Sequence, residues 1–353
     1  MIIQSLTCRD FRNLQELTLS DLDEMNVIWG ENAQGKTNLL EAIWLFTGAK
    51  SFRGAHDADF IRFGCDGCLL ELSFFSEGIQ KEAALSIKEK RTAVLNGNRL
   101  KTPSELAGIF HAVVFSPSDL GLVQNGPAGR RRFLDLAIGQ LTPSYIPLLR
   151  DYLRAVIQRN RIIKDYRYDP SLAVMLEVFE NEIADKGIRI IRARQKYIAS
   201  LQEILPALYD GLSSGREHLT IEYVSTVHQD FLKELEQARK EDMLTGSTSI
   251  GPHRDDVLFQ LNGISARTYG SQGQKRSVAL AVRMAEAEWI QKVTGEMPVF
   301  LLDDVMSELD PERQHYILNH IKGIQTFITC CDPADTAGLQ KGKIIHIQNG
   351  GIV

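Results

Sequence analysis

Eight consecutive residues near the N-terminus have the types and spacing of a phosphate-binding loop. They follow the pattern G-x-x-x-x-G-K-T without a mismatch and are termed the phosphate loop: Gly30, Glu31, Asn32, Ala33, Gln34, Gly35, Lys36 and Thr37. An apolar run at 25–29 precedes the loop and a helical pattern at 37–47 follows it, which is the context that the motif requires. Glycines let backbone N–H groups curl around phosphate oxygens, and the helix N-terminus adds partial positive charge. The loop therefore predicts a nucleoside triphosphate site.

The last two residues of the phosphate loop predict contacts to ATP and Mg²⁺. We expect the Lys36 ammonium on the β and γ phosphates and the Thr37 hydroxyl on the metal ion. Such a site also needs an acidic residue at the end of a buried strand. The apolar run 299–302 leads into Asp303 and Asp304, which we term the acidic pair. We expect Asp303 to hold Mg²⁺, directly or through water, and Asp304 to orient or deprotonate the attacking water. A purely structural pair at a strand end is the alternative.

Two later segments are typical of ATPases that work as pairs. Ser271, Gln272, Gly273 and Gln274, termed the signature segment, are similar to the ABC-type signature S-G-G-Q, with Gln272 in place of the first Gly. A Ser hydroxyl, a Gly N–H and a helix N-terminus suit an anion, which in ABC-type ATPases is a phosphate of ATP held by the partner subunit. Asp310 closes a Ser-Glu-Leu-Asp segment that resembles the D-loop crossing the dimer in those ATPases. A helix N-cap is a sufficient structural alternative for Asp310.

The order of predicted elements is α/β, then helical, then α/β. We predict the N-terminal half of an ATPase head with the phosphate loop at 1–126, a helical insert at 127–246, and the C-terminal half with the signature segment and acidic pair at 247–353. The helices predicted in the insert are 129–136, 144–164, 171–205 and 229–241, the third ending before Pro206. The predicted strands are 2–6, 14–19, 25–29, 69–75, 83–87, 92–95, 109–115, 220–223, 257–261, 299–302, 326–329 and 344–347, with a hairpin turn at Asn96-Gly97.

The bulk composition narrows the class of protein. The chain has 353 residues, of which 44% are hydrophobic and 24% charged, as in a globular protein with a core and unlike a disordered chain. It has no apolar run of about 18 residues, so we expect no membrane span. Its five cysteines, an odd number, favour a reducing compartment, so we expect a cytoplasmic location. The formal charge of −5 means that any nucleic-acid surface must be local.

Basic residues are concentrated in the predicted helical insert. Residues 127–170 carry four acidic residues against nine basic ones: Arg130, Arg131, Arg132, Arg150, Arg154, Arg159, Arg161, Lys164 and Arg167. A second group, termed the basic stripe, has the spacing of one helix face: Lys186, Arg189, Arg192 and Lys196. The pattern predicts backbone contacts to DNA, with Arg130, Arg131, Arg132, Lys186 and Arg189 as candidates. Ordinary i,i+4 pairs with Glu182 and Asp185 are the alternative for the stripe.

Together these segments resemble the RecF family of recombination and replication-repair proteins. The phosphate loop and residues 271–276 and 301–310 carry part of the resemblance, which continues in 10–14 (DFRNL), 130–135 (RRRFLD) and 251–256 (GPHRDD). It runs from end to end of the chain, and RRRFLD and GPHRDD are its most family-specific segments. The related SMC-type proteins insert very long coiled coils. Here the insert is only about 120 residues without sustained heptads, which excludes a long arm.

The resemblance implies an α/β fold: an ABC-type P-loop ATPase head, with a mixed, largely parallel core sheet and an antiparallel sheet, and a helical second lobe inserted between its halves. It implies that ATP closes two subunits into a homodimer, with Ser271 of one on the γ-phosphate of the other. The closed dimer clamps double-stranded or single-stranded DNA at gaps and junctions, and slow, DNA-stimulated hydrolysis releases it. The implied partners are the RecO and RecR mediators, which help to load recombinase. Arg12 and Asn13 match the family's early nucleotide-contacting turn.

The sequence departs from the ABC-type pattern at three places. No Q-loop Gln follows Ser116-Pro117 closely and Gln124 lies further on, so the second protein ligand of the metal stays open. Thr329 and Cys330 stand where ABC-type ATPases have a switch His, and Asp304 is one methylene shorter than their Glu. We therefore expect a slow ATPase that acts as a timer. The alternatives are a transporter nucleotide-binding subunit, a P-loop small-molecule kinase and an ATP-binding subunit that does not hydrolyse.

Overall fold

The computed structural model describes residues 1–166, 169–213, 215–332 and 342–353. The chain forms two compact units, each assembled from separated stretches of sequence. The first comprises Met1–Leu120, Ala207–Glu217 and Arg276–Val353, and the second comprises Gly121–Pro206 and His218–Lys275. The division into three consecutive parts at 126 and 246 stays a prediction.

The described residues form strands and helices with the following bounds. The strands are β1 (Ile2–Phe11), β2 (Leu14–Leu19), β3 (Met25–Trp29), β4 (Cys68–Ser76), β5 (Ile79–Ile87), β6 (Arg91–Leu95), β7 (Asn98–Arg99), β8 (Ala112–Phe115), β9 (Leu219–Val224), β10 (Asp256–Leu261), β11 (Ile264–Ser265), β12 (Val299–Asp303), β13 (Thr326–Cys330), β14 (Lys343–Gln348) and β15 (Gly351–Ile352). The α-helices are α1 (Lys36–Leu45), α2 (Leu120–Gln124), α3 (Pro127–Leu141), α4 (Tyr145–Tyr166), α5 (Ala173–Ser213), α6 (Phe231–Thr245), α7 (Ala266–Tyr269), α8 (Gln272–Thr294) and α9 (Pro311–His320). Short 3₁₀ turns lie at Asp57–Phe60, Pro103–Leu106, Pro117–Asp119, Pro170–Leu172 and Met306–Glu308. None of the helices in the described ranges combines the length and the apolarity needed to cross a bilayer.

The first unit contains an antiparallel sheet with the strand order β2-β1-β4-β5-β6-β7. Along β4, buried positions alternate with more exposed ones, as expected where one face of an antiparallel sheet packs on a core. Asn96 and Gly97 join β6 to β7 with φ of +48° and +77°. Two consecutive left-handed residues are the geometry of a two-residue hairpin turn, so the predicted hairpin is confirmed.

The second sheet of this unit is largely parallel and has the order β15-β14-β3-β13-β12-β8. Every pairing in it is parallel except that of β14 with β15. Strands β8, β12 and β13 are buried along their whole length, as expected for parallel strands that are covered on both faces. Asp303 pairs with Thr329, and Cys330 pairs with Trp29. The carboxyl ends of β3, β12 and β13 therefore meet at one edge of the sheet.

The second unit combines helices α3, α4 and α6, and α5 up to Pro206, with a small antiparallel sheet of order β11-β10-β9. A buried ion cluster joins α4, α5 and α6. The Arg159 guanidinium donates to Glu180 at 3.0 Å and to Asp242 at 2.6 Å, and all three side chains are fully buried. Thr248 Oγ1 accepts a further hydrogen bond from Arg159 at 2.9 Å.

Helix α5 corrects one sequence prediction. The helix was expected to end at 205, but it continues through Pro206 to Ser213. A proline inside a helix removes the hydrogen bond that its missing N–H cannot make, and its ring crowds the carbonyl four residues earlier, at a total cost of about 3 kcal/mol. The turns that follow bury Leu208, Tyr209 and Leu212. Burial of these side chains offsets the lost bond, which is why the helix continues.

Candidate functional site

The phosphate loop connects β3 to α1 by a backbone path that requires glycine at both ends. Gly30 has φ of +155° and Gly35 has φ of +114°. A Cβ atom on Gly30 would lie 2.3 Å from the backbone oxygen of Ile347, which is too close for any side chain. Gly35 is the N-cap of α1, and its carbonyl accepts the first helical hydrogen bond, from Leu39, at 3.0 Å. Helix α1 thus begins within the phosphate loop, directly after Gly35.

Lys36 lies inside the curve of the phosphate loop. Its side chain is buried, and Nζ donates to the backbone oxygens of Gly30 at 2.5 Å and Glu31 at 3.1 Å. The Cys331 Sγ atom lies 3.6 Å from the same ammonium. These contacts hold the positive charge where a phosphate bound by the loop would lie.

Residues outside the phosphate loop fix the shape of its middle part. The Ala33 carbonyl accepts a hydrogen bond from Asn13 Nδ2 at 3.2 Å. The Cys331 thiol donates to Asn32 Oδ1 at 3.2 Å, and Gln34 Oε1 accepts the N–H of Asn349 at 2.5 Å. The side chains of Glu31, Asn32 and Ala33 are exposed. Hydrogen bonds from Asn13, Cys331 and Asn349 therefore hold the exposed middle of the loop in place.

Asp303 of the acidic pair lies at the carboxyl end of β12, against the phosphate loop. Its Oδ1 atom accepts hydrogen bonds from Thr37 Oγ1 at 2.7 Å and from Thr329 Oγ1 at 2.9 Å. Among the described residues, no donor reaches its other oxygen, Oδ2. Burial raises the pKa of the Asp303 carboxyl, while the two hydroxyl groups oppose this rise. A carboxylate beside a hydroxyl is the kind of oxygen donor set that Mg²⁺ prefers, so the residues present fit this ion.

Asp304 follows with a backbone turn into the left-handed region, at φ of +52°. Its N–H donates to Thr329 Oγ1 at 2.9 Å, and its carbonyl accepts a hydrogen bond from Ser307 Oγ at 3.2 Å. Its side chain is half-buried. The turn at Asp304 ends the extended backbone of β12 immediately after Asp303.

The turn between β1 and β2 lies beside the phosphate loop, and its two candidate residues are held by α1. Arg12 has φ of +53°, and its guanidinium contacts the buried Glu41 carboxylate at 2.7 Å and the ring of Phe60, whose centroid lies 5.1 Å away. Asn13 Oδ1 accepts a hydrogen bond from Asn38 Nδ2 at 2.8 Å. The structure therefore brings Arg12 and Asn13 to the same site as the phosphate loop and the acidic pair.

Arg53 is a site residue that the sequence reasoning missed. Its guanidinium donates to Asn38 Oδ1 at 3.0 Å and lies 3.8 Å from Glu41 Oε2, with 44% of the side chain exposed. Its positive charge is also among the influences that oppose the burial-driven rise of the Asp303 pKa. No motif surrounds Arg53, so no local pattern could have singled it out.

The signature segment lies in the second unit, at the start of α8. The Ser271 N–H donates to Gln274 Oε1 at 2.6 Å, and the Gln274 N–H donates to Ser271 Oγ at 3.2 Å. This reciprocal pair caps the helix. Gln272 Oε1 accepts a hydrogen bond from Gln124 Nε2 at 2.6 Å. Ser271 and Gln272 are exposed and Gly273 is half-buried, so the segment is displayed at the surface of its unit.

Asp310 caps helix α9 in the first unit. Its carboxylate accepts the Arg313 N–H at 3.0 Å and pairs with the Arg313 guanidinium. The backbone hydrogen bond from Arg313 lowers the pKa of the Asp310 carboxyl. The side chain is exposed, so the capping role leaves one face of the carboxylate open.

Of the basic residues in 127–170, Arg130 and Arg159 do not face solvent. Arg130 is 2% exposed and forms two hydrogen bonds with the Asp256 carboxylate, at 2.6 and 2.9 Å. This is a correction: Arg130 serves the packing of the second unit, because a guanidinium held in this way is not displayed to phosphates. Arg131 donates to the Asp255 carbonyl at 2.8 Å, and Arg132 is exposed. Arg167 lies outside the described residues.

The basic stripe is on α5 in the second unit, and most of it is exposed. Lys186 pairs with Glu182 at 2.7 Å, as the i,i+4 alternative predicted for this position. Arg189, Arg192 and Lys196 are exposed. The stripe thus retains three displayed cations.

Comparison with known proteins places this chain in a family. The model described as RecF/RecN/SMC N terminal domain matches residues 2–350. The DNA replication and repair protein RecF of Agathobacter rectalis is 39% identical, over 100% of this chain and 99% of that protein. The chain belongs to the RecF family. A solved structure of the recombination mediator protein RecF with ATP, in the RecFOR pathway, has 33% identity and a TM-score of 0.91, covering 100% of this chain and 97% of that one.

The fold of this chain is also similar to that of SMC head domains. An SMC head bound to the C-winged helix domain of ScpA has 16% identity and a TM-score of 0.56, over 100% of this chain and 98% of that one. At this identity the likeness shows the fold alone. The predicted fold class, an ABC-type ATPase head with a helical region, is confirmed.

The segments RRRFLD and GPHRDD, which carry part of the resemblance, have structural contacts in the second unit. Asp135, the last residue of RRRFLD, pairs with the buried Arg194 at 2.7 Å, and Arg194 also donates to the Pro252 carbonyl. In GPHRDD, the buried Asp255 accepts the Thr226 N–H at 2.7 Å, and His253 bonds to Tyr152 at 2.6 Å. Burial lowers the pKa of His253 to about 4, so the ring is neutral near pH 7. These RecF segments tie distant parts of the unit together.

Proposed function

We propose that this chain is an ATP-dependent DNA-binding protein of recombinational repair, in which ATP gates dimerisation and DNA binding. The observation that carries the proposal is the meeting of the phosphate loop with the acidic pair, through the 2.7 Å hydrogen bond between Thr37 and Asp303. The full-length similarity to a RecF protein solved with ATP supports the choice of nucleotide.

Each residue of the site has a distinct task in this proposal. Backbone N–H groups of the phosphate loop and the Lys36 ammonium hold the β and γ phosphates. Thr37 and Asp303 hold Mg²⁺, which when bound neutralises charge on the phosphates. Asp304 orients the attacking water and accepts its proton. Arg12 and Asn13 contact the nucleotide from the β1–β2 turn.

Hydrolysis is slow in this proposal, and it works as a timer. Asp304 has a shorter side chain than the Glu of ABC-type ATPases, so it reaches less far toward the water. The chain then holds its ATP-bound form for longer than an enzyme with the longer carboxylate. A turnover near 10 per second, the median of metabolic enzymes, would contradict a timer.

Arg53 provides the first test of the site. We expect Arg53→Ala to slow ATP hydrolysis by about tenfold or more, because the positive charge that favours the ionised form of Asp303 and the hydrogen bond to Asn38 are both lost. Steady-state hydrolysis and ATP affinity measure the effect. Arg62→Ala is the matched control, since Arg62 is also a partly exposed arginine and pairs with Asp10 at 3.6 Å. Equal rates for the two variants would remove Arg53 from the site.

The dimer in this proposal is symmetric and forms around two nucleotides. The exposed Ser271 hydroxyl of one subunit contacts the γ-phosphate held by the other, with Gln272, Gly273 and Gln274 presenting the helix N-terminus. Asp310 lies in the segment that crosses between subunits. Exposure of the signature segment supports this role, because a trans contact needs a displayed surface.

DNA is bound through its phosphates in this proposal, by cations of the second unit. The exposed candidates are Arg132, Arg189, Arg192 and Lys196, with Arg131 and Lys186 partly paired within the chain. Contacts of this kind recognise the backbone and the shape of DNA and not its sequence, and the affinity falls as the salt concentration rises. The substrates are double-stranded and single-stranded DNA at gaps and junctions, in the cytoplasm. RecO and RecR are the mediator partners with which the chain helps to load recombinase.

The molecular mass in solution tests whether ATP controls dimerisation. We expect ATP with Mg²⁺ to double the mass and to tighten binding of a duplex DNA. Lys36→Met should do neither at the same ATP concentration, because losing a charge-assisted phosphate contact of about 1.5–3 kcal/mol weakens ATP binding by roughly 10- to 150-fold. Lys101→Met is the control, since Lys101 is exposed and lies outside the site.

Two other outcomes would change the proposal. If ATP binds but changes neither the molecular mass nor the DNA affinity, ATP does not control dimerisation. The proposed contact of Ser271 with the γ-phosphate held by the other subunit is then also wrong. If ATP does not bind the unchanged chain, the site itself is wrong. The transporter and kinase alternatives would then need reconsideration, although similarity to RecF along the whole chain does not favour them.

A further inference from the structure

We propose that Thr329 is a positioning residue for the acidic pair: its single hydroxyl bonds the Asp303 carboxylate and the Asp304 backbone N–H, and so holds both residues of the ATPase site in place. This inference rests on the proposed function, since it concerns how the same site hydrolyses ATP. Thr329 acts through Asp303 and Asp304, to which the hydrogen bonds of its hydroxyl run.

Thr329 lies in the strand between the two halves of the site. Strand β13 pairs with β3, which leads into the phosphate loop, and with β12, which ends in the acidic pair. The Thr329 side chain is fully buried. Its Oγ1 atom lies 2.9 Å from Asp303 Oδ1 and 2.9 Å from the Asp304 nitrogen.

The chemistry of the partners fixes the direction of both hydrogen bonds. An ionised carboxylate can only accept, so the one hydroxyl proton of Thr329 is donated to Asp303. A backbone N–H can only donate, so the Thr329 oxygen accepts from Asp304. The hydroxyl is thereby used in both of its capacities. Valine has the same shape but can make neither bond, whereas serine can make both.

These two bonds hold different features of the acidic pair. The bond to Asp303 shares Oδ1 with the Thr37 hydroxyl, which orients the carboxylate toward the metal position. The bond from Asp304 holds a backbone nitrogen whose residue has φ of +52°, a conformation that few non-glycine residues adopt. The two hydrogen bonds together support the acidic pair.

Three variants of the full chain test the inference. We expect Thr329→Val to lower kcat for ATP hydrolysis on the order of 100-fold, since a misplacement of about 1 Å has this effect, while KM for ATP stays within about threefold. Thr329→Ser should keep a rate close to that of the unchanged chain. Thr326→Val is the matched control: Thr326 is a fully buried threonine of the same strand, and its hydroxyl donates to the Ile324 carbonyl at 3.0 Å.

A second readout is independent of hydrolysis. Binding of a fluorescent ATP analogue is titrated with Mg²⁺ at fixed nucleotide concentration. Thr329→Val should need several times more Mg²⁺ for half-maximal binding, because the Asp303 carboxylate is less well oriented. Thr329→Ser and Thr326→Val should match the unchanged chain. Thermal unfolding of the two valine variants compares the loss of one buried hydroxyl in each.

The outcomes separate this inference from the proposed function. If Thr329→Val keeps the kcat and the Mg²⁺ requirement of the unchanged chain, the inference is overturned. It is also overturned if Thr329→Ser is as slow as Thr329→Val, since packing alone then explains the defect. If the unchanged chain shows no Mg²⁺-dependent binding or hydrolysis of ATP, the proposed function fails, and the inference fails with it.

Discussion

Asp304→Asn should bind ATP as tightly as the unchanged chain and hydrolyse it about 10²–10⁴ times more slowly, the range that a general base contributes. An amide cannot accept the proton of the attacking water at neutral pH. Asparagine adopts the left-handed backbone at least as well as aspartate, so the turn at φ of +52° is preserved. The Asp303 carboxylate and its bonds to Thr37 and Thr329 stay in place. The variant should therefore remain a dimer for longer after ATP is added.

Single-turnover hydrolysis, ATP affinity and mass over time measure this result. Asp21→Asn is the matched control, because Asp21 is an exposed aspartate that also has a left-handed backbone, with φ of +50°. If Asp304→Asn hydrolyses ATP at nearly the normal rate, another group activates the water. If its ATP affinity falls together with its rate, Asp304 contributes to binding and not to the chemical step.

Arg159→Met should lower the free energy of unfolding by about 3–5 kcal/mol, the usual cost of removing one partner from a buried ion pair. The two carboxylates that Arg159 contacts, Glu180 and Asp242, are fully buried. Without the guanidinium, Asp242 loses its 2.6 Å partner, and Glu180 keeps its contact with Arg239. Uncompensated negative charge in the interior of the second unit is the physical cause of the loss.

Urea unfolding followed by helical circular dichroism measures the loss. Arg154→Met is the control on the same helix, since that side chain is 70% exposed and its substitution should stay within about 0.5 kcal/mol. Adding Glu180→Gln and Asp242→Asn to Arg159→Met should recover part of the stability, because the stranded charges are removed. A triple variant less stable than Arg159→Met would show that shape, and not charge, governs this cluster.

Local sequence patterns predicted the parts of the site that are contiguous in the chain. The phosphate loop lies between a strand and a helix that adjoin it in sequence, so its context could be tested from neighbouring residues. The acidic pair ends an unbroken apolar run for the same reason. Asp310 at the start of α9 and Asn96-Gly97 in a hairpin are also local signals, since capping and turn geometry depend on a few adjacent residues.

The features that were missed depend on partners far away in sequence. A run of three arginines predicts an exposed basic surface. Arg130 is nevertheless buried, because its guanidinium pairs with Asp256, which lies 126 residues later in the chain. Arg53 and Thr329 join the site through Asn38 and Asp303, and neither contact has a spacing rule. Pro206 was expected to end a helix because the local cost is clear, whereas the burial that offsets it comes from tertiary packing.

Strand β3 has a further consequence for how the chain is made. Its two hydrogen-bonded neighbours, β13 and β14, begin at Thr326 and Lys343, although β3 itself ends at Trp29. A ribosome adding 5–20 residues per second needs about 15–60 s to synthesise the roughly 300 residues between them. Throughout this time both edges of an apolar strand lack their final partners and can pair with another nascent chain. A stop codon that removes only the residues from Lys343 onward would likewise leave one edge of that strand bare, and so disturb the phosphate loop from the opposite end of the gene.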